Sequence, residues 1–137
     1  MAVLSIDGVV SRNVPMLRNG AALGLWSLRL AEAIGMHPVG IPIIQPYAHW
    51  PDGAPSVVLF IEESAIILHS YPEASYIEIT LHSCKAIPDH EGIATTIITL
   101  LGLDVRYFLY EEARNWRERA ITAYASRSWP LALIPPG

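Results

Sequence analysis

The chain has 137 residues, 52% of them hydrophobic, and a formal net charge of −4 with only nine Lys and Arg. That length suits one compact domain, and the few scattered cations argue against nucleic acid or an anionic membrane as the main partner, so the expected ligand is small. One cysteine cannot form an internal disulfide, and although the mean hydropathy is +0.33, charged, His or Pro residues interrupt every apolar run short of the roughly 18–20 residues a spanning helix needs; the expected setting is the cytoplasm.

The opening MAVLSIDGVV reads as a first strand. A loop through Arg12, Asn13 and Pro15 leads into Met16 to Met36, where Leu23, Trp26, Leu30 and Ile34 recur at helical spacing, with Gly35 and Pro38 as stop signals. Val39 to Pro46 is β-branched but contains Pro42 and Pro46, which suits an irregular edge strand. Tyr47 to Pro55 is loop-like. Ser56 to Ile61 and Ala65 to Leu68 are near-continuous apolar runs, as in a strand buried on both faces, broken by Glu62, Glu63 and Ser64. Tyr71 to Ala74 reads as a turn, and Ser75 to His82 alternates as a half-buried strand does. Pro88 to Leu101 has helical spacing and Gly102 as its stop. Asp104 to Leu109 predicts a further strand, and the charged stretch Glu111 to Tyr124 a third helix. Residues 126 to 137, with Trp129 and three prolines, predict an extended proline-rich C-terminal arm. The element order predicts an α+β fold, a two-layer sandwich of a mainly antiparallel sheet with helices on one face.

Within this frame one stretch, FIEESAIILHSYPE from Phe60 to Glu73, is anomalous, because it sets a serine behind two glutamates inside an apolar run. Singly, its parts have ordinary explanations: Ser56 as a strand-entry residue, Ser64 as a turn or bulge, His69 as a satisfied sheet histidine, Cys84 as buried filler, and Trp50 and Tyr71 as core edges. No spacing in the chain matches a common metal-ligand pattern.

Jointly, Ser56, Glu63, Ser64, His69, the turn Tyr71, Pro72, Glu73, and Cys84 resemble the processing segment of the prokaryotic S-adenosylmethionine decarboxylase proenzymes. That segment carries Glu-Ser, His five residues later, aromatic-Pro-Glu, a downstream Cys, and a Ser eight residues upstream. The resemblance implies a decarboxylase domain over residues 1–125 that cuts itself between Glu63 and Ser64. The products would be a β chain of residues 1–63 and an α chain of residues 64–137. Ser64 would become a pyruvoyl group, the site of Schiff base formation, with no metal and no pyridoxal phosphate. A serine is a weak nucleophile and a peptide a poor electrophile, so the step needs a strained peptide and a hydrogen-bonding neighbour; the resemblance gives Ser56 that role. It makes His69 the base that removes the Ser64 α-proton and Cys84 the proton donor after decarboxylation, tasks that suit groups titrating near neutrality. Trp50 and Tyr71 would stack on the adenine, and Glu73 would bind the ribose.

The implied reaction converts S-adenosylmethionine to its decarboxylated form, the aminopropyl donor for spermidine and related polyamines, in a homodimer or dimer of dimers whose sites lie between protomers. Departures from the pattern are Ala65 in place of His, Tyr71 in place of Trp, Thr80 in place of an acidic residue, with Glu78 two positions earlier, and Lys85 in place of Gly. They leave two alternatives open: a pyruvoyl-dependent decarboxylase of ornithine or arginine, and an unprocessed regulatory paralogue.

Overall fold

A computed structural model describes residues 1–47, 54–115 and 118–125, with side chains described as far as Ala113. Among the described residues, seven strands form one antiparallel sheet: β1 Ala2–Val9, β2 Ile43–Gln45, β3 Ser56–Ile61, β4 Ser64–Tyr71, β5 Tyr76–Ser83, β6 Asp104–Asn115 and β7 Glu118–Ala125. Their order across the sheet is β2-β3-β4-β5-β1-β6-β7, so β1 lies between β5 and β6. Two helices, α1 Gly20–Ala33 and α2 His90–Leu101, complete the predicted α+β sandwich.

Alternation sets which face is covered. Leu4 and Ile6 of β1, Leu59 of β3, Ile66 and Leu68 of β4, and Ile77 and Ile79 of β5 are fully buried against the helix layer. Leu23, Trp26 and Leu30 of α1 and Ile93, Ile97 and Leu101 of α2 meet them. The intervening residues are only partly covered on β1, β4 and β5. Both helices are therefore on one face.

The predicted helix from Met16 divides into a 3-10 turn, Val14–Arg18, and α1, because Asn19 is extended between them and its side chain accepts the Ala22 N–H at 3.1 Å. The predicted edge strand shrinks to β2 and a single bridge from Pro38 to Ile61. Asp89 caps α2 through the Gly92 N–H at 3.2 Å, and Gly102 closes it in the left-handed region.

The predicted third helix is overturned: Glu111 to Asn115 continues β6, and β7 returns beside it. Glu, Ala and Arg favour helix locally, but propensity is a weak term against tertiary pairing. Pairing prevails here because β1 needs a second partner along its whole length; it is matched from Val9 with Asp104 to Ala2 with Glu112. Beyond that, Met1 and Ala113 exchange backbone hydrogen bonds at 2.9 and 3.2 Å. Register shifts at Tyr110/Glu111 and Ala113/Asn115 break the two-residue alternation that would have marked this strand in the sequence. Trp50 and the expected arm of residues 126–137 lie outside the described residues.

One close approach has a direct test. The β1–β6 register slips between Asp7 and Gly8, and a Cβ at Gly8 would overlap the backbone carbonyl of Asp104. Gly8→Ala is expected to lower the unfolding free energy by about 1–3 kcal/mol, measured as a shift in denaturant midpoint; an unchanged midpoint would rule out so tight an approach.

Candidate active site

The β3–β4 hairpin carries most of the predicted site. Its register pairs Ile61 with Ser64 at one end and Ser56 with His69 at the other. Ser64 and His69 are five residues apart on one strand, about 17 Å at roughly 3.4 Å per residue, and an odd spacing sends their side chains to opposite faces. One protomer therefore does not bring these two groups together. It makes two clusters at the two ends of the hairpin.

At the first end, Ser56 Oγ and His69 Nδ1 are 2.6 Å apart on the sheet face opposite the helices, Ser56 being buried there. They border a cavity of about 190 Å3 lined also by Tyr47, Ala54, Ser70, Tyr71 and Glu73. Its floor is fixed by Ser70, whose hydroxyl is within donating distance of the Leu17 carbonyl at 2.9 Å and the Pro55 carbonyl at 3.2 Å. On its far side His69 is matched with Glu78 of β5, and Glu78 with Asp7 of β1. A polar row thus crosses four strands.

At the second end, Glu62 and Glu63 form the turn and Ser64 opens β4, exposed. Just after β5, the Cys84 N–H donates to the Glu63 carbonyl at 2.9 Å. Cys84 itself is exposed rather than buried filler. The Glu63 carboxylate accepts from His37 twice, from the backbone N–H at 2.9 Å and from ring Nδ1 at 3.1 Å. Those bonds, the backbone one foremost, hold the Glu63 carboxyl below the usual range, while the Glu63 hydrogen bond raises the His37 imidazole. Ligand atoms of His37, Glu62 and Glu63 lie within 4.8 Å of one another. With the ring nitrogen and both Glu63 oxygens already paired internally, the group is a clamp rather than a vacant cation site. His90, another histidine near Cys84 in sequence, stacks on Tyr110 with ring centroids 3.9 Å apart.

With this geometry in hand, residues 6–111 match the family described as S-adenosylmethionine decarboxylase. The chain belongs to the S-adenosylmethionine decarboxylase family. The crystal structure of the adenosylmethionine decarboxylase from Aquifex aeolicus VF5 has the same fold, with a TM-score of 0.59, 11% identity, and coverage of 75% of this chain and 82% of that one. No curated protein matches the sequence. Among the described residues no helix is long and apolar enough to cross a membrane.

For a member of this decarboxylase family, the motif residues fall as two groups: Glu63, Ser64 and Cys84 at the turn, and Ser56, His69, Tyr71 and Glu73 at the cavity. Trp50 is outside the described residues. Sequence reasoning missed His37, which no local pattern marks, and the roles of Tyr47 and Ser70 in the cavity wall. It also missed the surroundings of Glu78: the Tyr71 phenol, pushed up mainly by burial and further by the Glu78 carboxylate, and Tyr76, which donates to Asp7 beside it. The alternation of β1 and β5 could have found that face, since it puts Asp7, Tyr76 and Glu78 on one side.

Burial raises the Asp7 carboxyl above its ordinary value; the Tyr76 hydroxyl lowers it in part, and Glu78 opposite raises it further. A carboxyl raised in the folded state contributes stability below its unfolded value, near pH 4, that is lost as pH climbs through the folded value. Asp7→Asn should therefore gain melting temperature relative to the parent at pH 7 and gain less at pH 4. A gap that does not change with pH would remove the burial effect.

Proposed function

We propose that this protein is a self-cleaving, pyruvoyl-dependent decarboxylase of S-adenosylmethionine, making the aminopropyl donor for polyamine synthesis. The observation that carries the reading is the Glu63–Ser64 peptide, set at a tight turn with its carbonyl already accepting the Cys84 N–H at 2.9 Å. A backbone N–H aimed at that oxygen stabilises charge that develops on it when the Ser64 hydroxyl adds to the carbonyl carbon. The Oγ–C bond forms, the C–N bond breaks, and the hydroxyl proton ends on the freed amine, leaving an ester. Removal of the Ser64 α-proton by His69 then eliminates the β-chain carboxylate. The resulting dehydroalanine tautomerises to an imine, and water adds to its carbon and expels ammonia, leaving a pyruvoyl group at the head of the α chain, residues 64–137.

When formed, a pyruvoyl group supplies an electrophilic carbonyl for a substrate amine and a sink for the electrons released with carbon dioxide. Cys84 lies beside the turn, exposed, where a thiol can return the proton. Tyr71 and Glu73 border the cavity and supply an aromatic face and a carboxylate for a nucleoside.

Ser64 and His69 lie about 17 Å apart within one chain, so the site is completed by a second copy. A two-fold pairing is self-complementary, and it brings the turn of one hairpin to the cavity of the other and vice versa. The sheet face opposite the helices is the surface for it: among the described residues, Ile43, Phe60 and Tyr107 on that face are about half exposed. A monomer cavity of about 190 Å3, below the roughly 300–1,000 Å3 of ordinary ligand pockets, fits a site assembled from two halves. The unit is a homodimer working on a small molecule in the cytoplasm.

Intact mass under denaturing conditions tests the processing. Two fragments breaking between Glu63 and Ser64, the C-terminal one carrying a borohydride-reducible carbonyl, are expected; a single 15.1 kDa species would sink self-cleavage and favour a regulatory paralogue. Ser64→Ala should remain full length. Cys84→Ala should still cut but lose turnover by about 100-fold or more, and equal turnover would remove it as proton donor. Adenosylmethionine, ornithine and arginine offered to the cut protein distinguish the substrates by carbon dioxide release.

A further inference from the structure

The residue before the proposed nucleophile is held from three sides. Its carbonyl accepts from Cys84, its carboxylate accepts from the His37 N–H and from His37 Nδ1, and the Glu62 N–H donates to the His37 carbonyl at 2.8 Å. His37 is itself fixed by the end of α1: Met36 N–H donates to the Ala31 carbonyl at 2.8 Å, Gly35 turns the chain with φ of 73°, and Pro38 follows, bridged to Ile61. Next along, the Val39 N–H donates to the Phe60 carbonyl at 2.8 Å. An exposed histidine, 68% accessible in its side chain, thus makes contacts with both residues of the turn that core packing does not require.

We propose that His37 is a positioning residue for self-cleavage, orienting Glu63 so that its carboxylate stays clear of its own carbonyl while Ser64 attacks. The inference rests on the processing reading above and adds to it a residue that the motif does not contain.

The need for such a device follows from the charge balance of the ester-forming step. Between formation of the Oγ–C bond and loss of the C–N bond, the Glu63 carbonyl oxygen carries the negative charge. The Glu63 side chain bears a second negative charge only a few bonds away, and like charges at such distance raise the barrier. Left free, that carboxylate could also take the amide or hydroxyl protons as an acceptor and draw the turn out of line. His37 removes both problems: two donors hold the carboxylate in one orientation, and the imidazolium offsets its charge. A carboxylate has no proton to give, so Nδ1 carries the hydrogen in either charge state of the ring. The grip therefore persists when the ring is neutral, and only its charge is lost.

The charged groups facing His37 are Glu62 and Glu63 of the turn, both of which favour the imidazolium. Lys85 lines the same cavity of about 180 Å3 as Met36 and Glu63 and is the nearby cation of that wall. The full effect of the clamp is thus present on the acid side and falls as pH rises through a His37 titration above the ordinary value of about 6.5.

The test is the first-order rate of chain cutting in freshly refolded full-length precursor, trapped with saturating hydroxylamine. Hydroxylamine opens the ester directly, so the rate reports its formation and bypasses the later His69 step. His37→Ala is expected to cut about 10- to 100-fold more slowly than the parent. His37→Asn, which keeps a neutral donor, should recover part of that loss, and the ratio of the parent rate to its rate should be largest near pH 6 and shrink toward pH 8.5. Glu63→Gln removes the charge that His37 offsets, so adding His37→Ala to it should slow cutting less than His37→Ala does alone. This second comparison holds even where a His37 variant refolds poorly. A His37→Ala rate equal to the parent's, or a parent-to-Asn ratio independent of pH, overturns the role of His37 and leaves self-cleavage standing. A parent that never cuts and yields no hydroxylamine product overturns the processing reading, and this inference with it.

Discussion

The register of the β3–β4 hairpin is the constraint on which the rest depends. Pairing Ile61 with Ser64 leaves Glu62 and Glu63 alone in the turn, and the same ladder then obliges Ser56 to face His69. A slip of one residue would move His69 off the Ser56 hydroxyl and turn every side chain of β4 to the other face. Burial guards against that slip, because Ile66 and Leu68 on one face are wholly enclosed beneath the helices. The hydrophobic core thus sets the position of groups that it does not touch.

That division of labour explains the character of the two sheet faces. The helix side is closed and apolar, with Ser27, Ser70 and Ser83 as polar residues buried there; Ser27 and Ser70 hydrogen-bond to backbone carbonyls. The open side carries the row Ser56, His69, Glu78 and Asp7, together with Tyr71 and Tyr76 in an edge-to-face contact with centroids 6.2 Å apart. Full burial under the helices would penalise charge on such groups more heavily than the partial cover of the open face does. Asp7, only part covered, already shows the beginning of that effect.

Much of the fold was legible because its signals were local. The alternation of β5, the Asp89 and Gly102 boundaries of α2, and the stripe of Leu23, Trp26 and Leu30 each speak within a few residues. The third helix misled because bulges hid the strand period in a segment rich in helix formers, and what decides its state is the far-off edge of β1. The motif spacing singled out candidate residues and was silent on where they lie. A gap of five along a strand means separation, whereas thirteen across a hairpin joins Ser56 to His69. His37 was invisible for the same reason, twenty-six residues from the carboxylate it holds.

The place of β1 has a further consequence. A cut between Glu63 and Ser64 puts β1, β2, β3 and α1 in one product and the remaining strands and α2 in the other. Since β1 is flanked by β5 and β6, the two products share one sheet in alternation and cannot separate without stripping a central strand from both neighbours. Before the cut, folding is a reaction of a single chain; afterwards it requires two fragments to meet, and its midpoint depends on their concentration. The mature protein would hold its shape as an assembly whose recovery after denaturation worsens with dilution, so its persistence rests on slow unfolding more than on easy return.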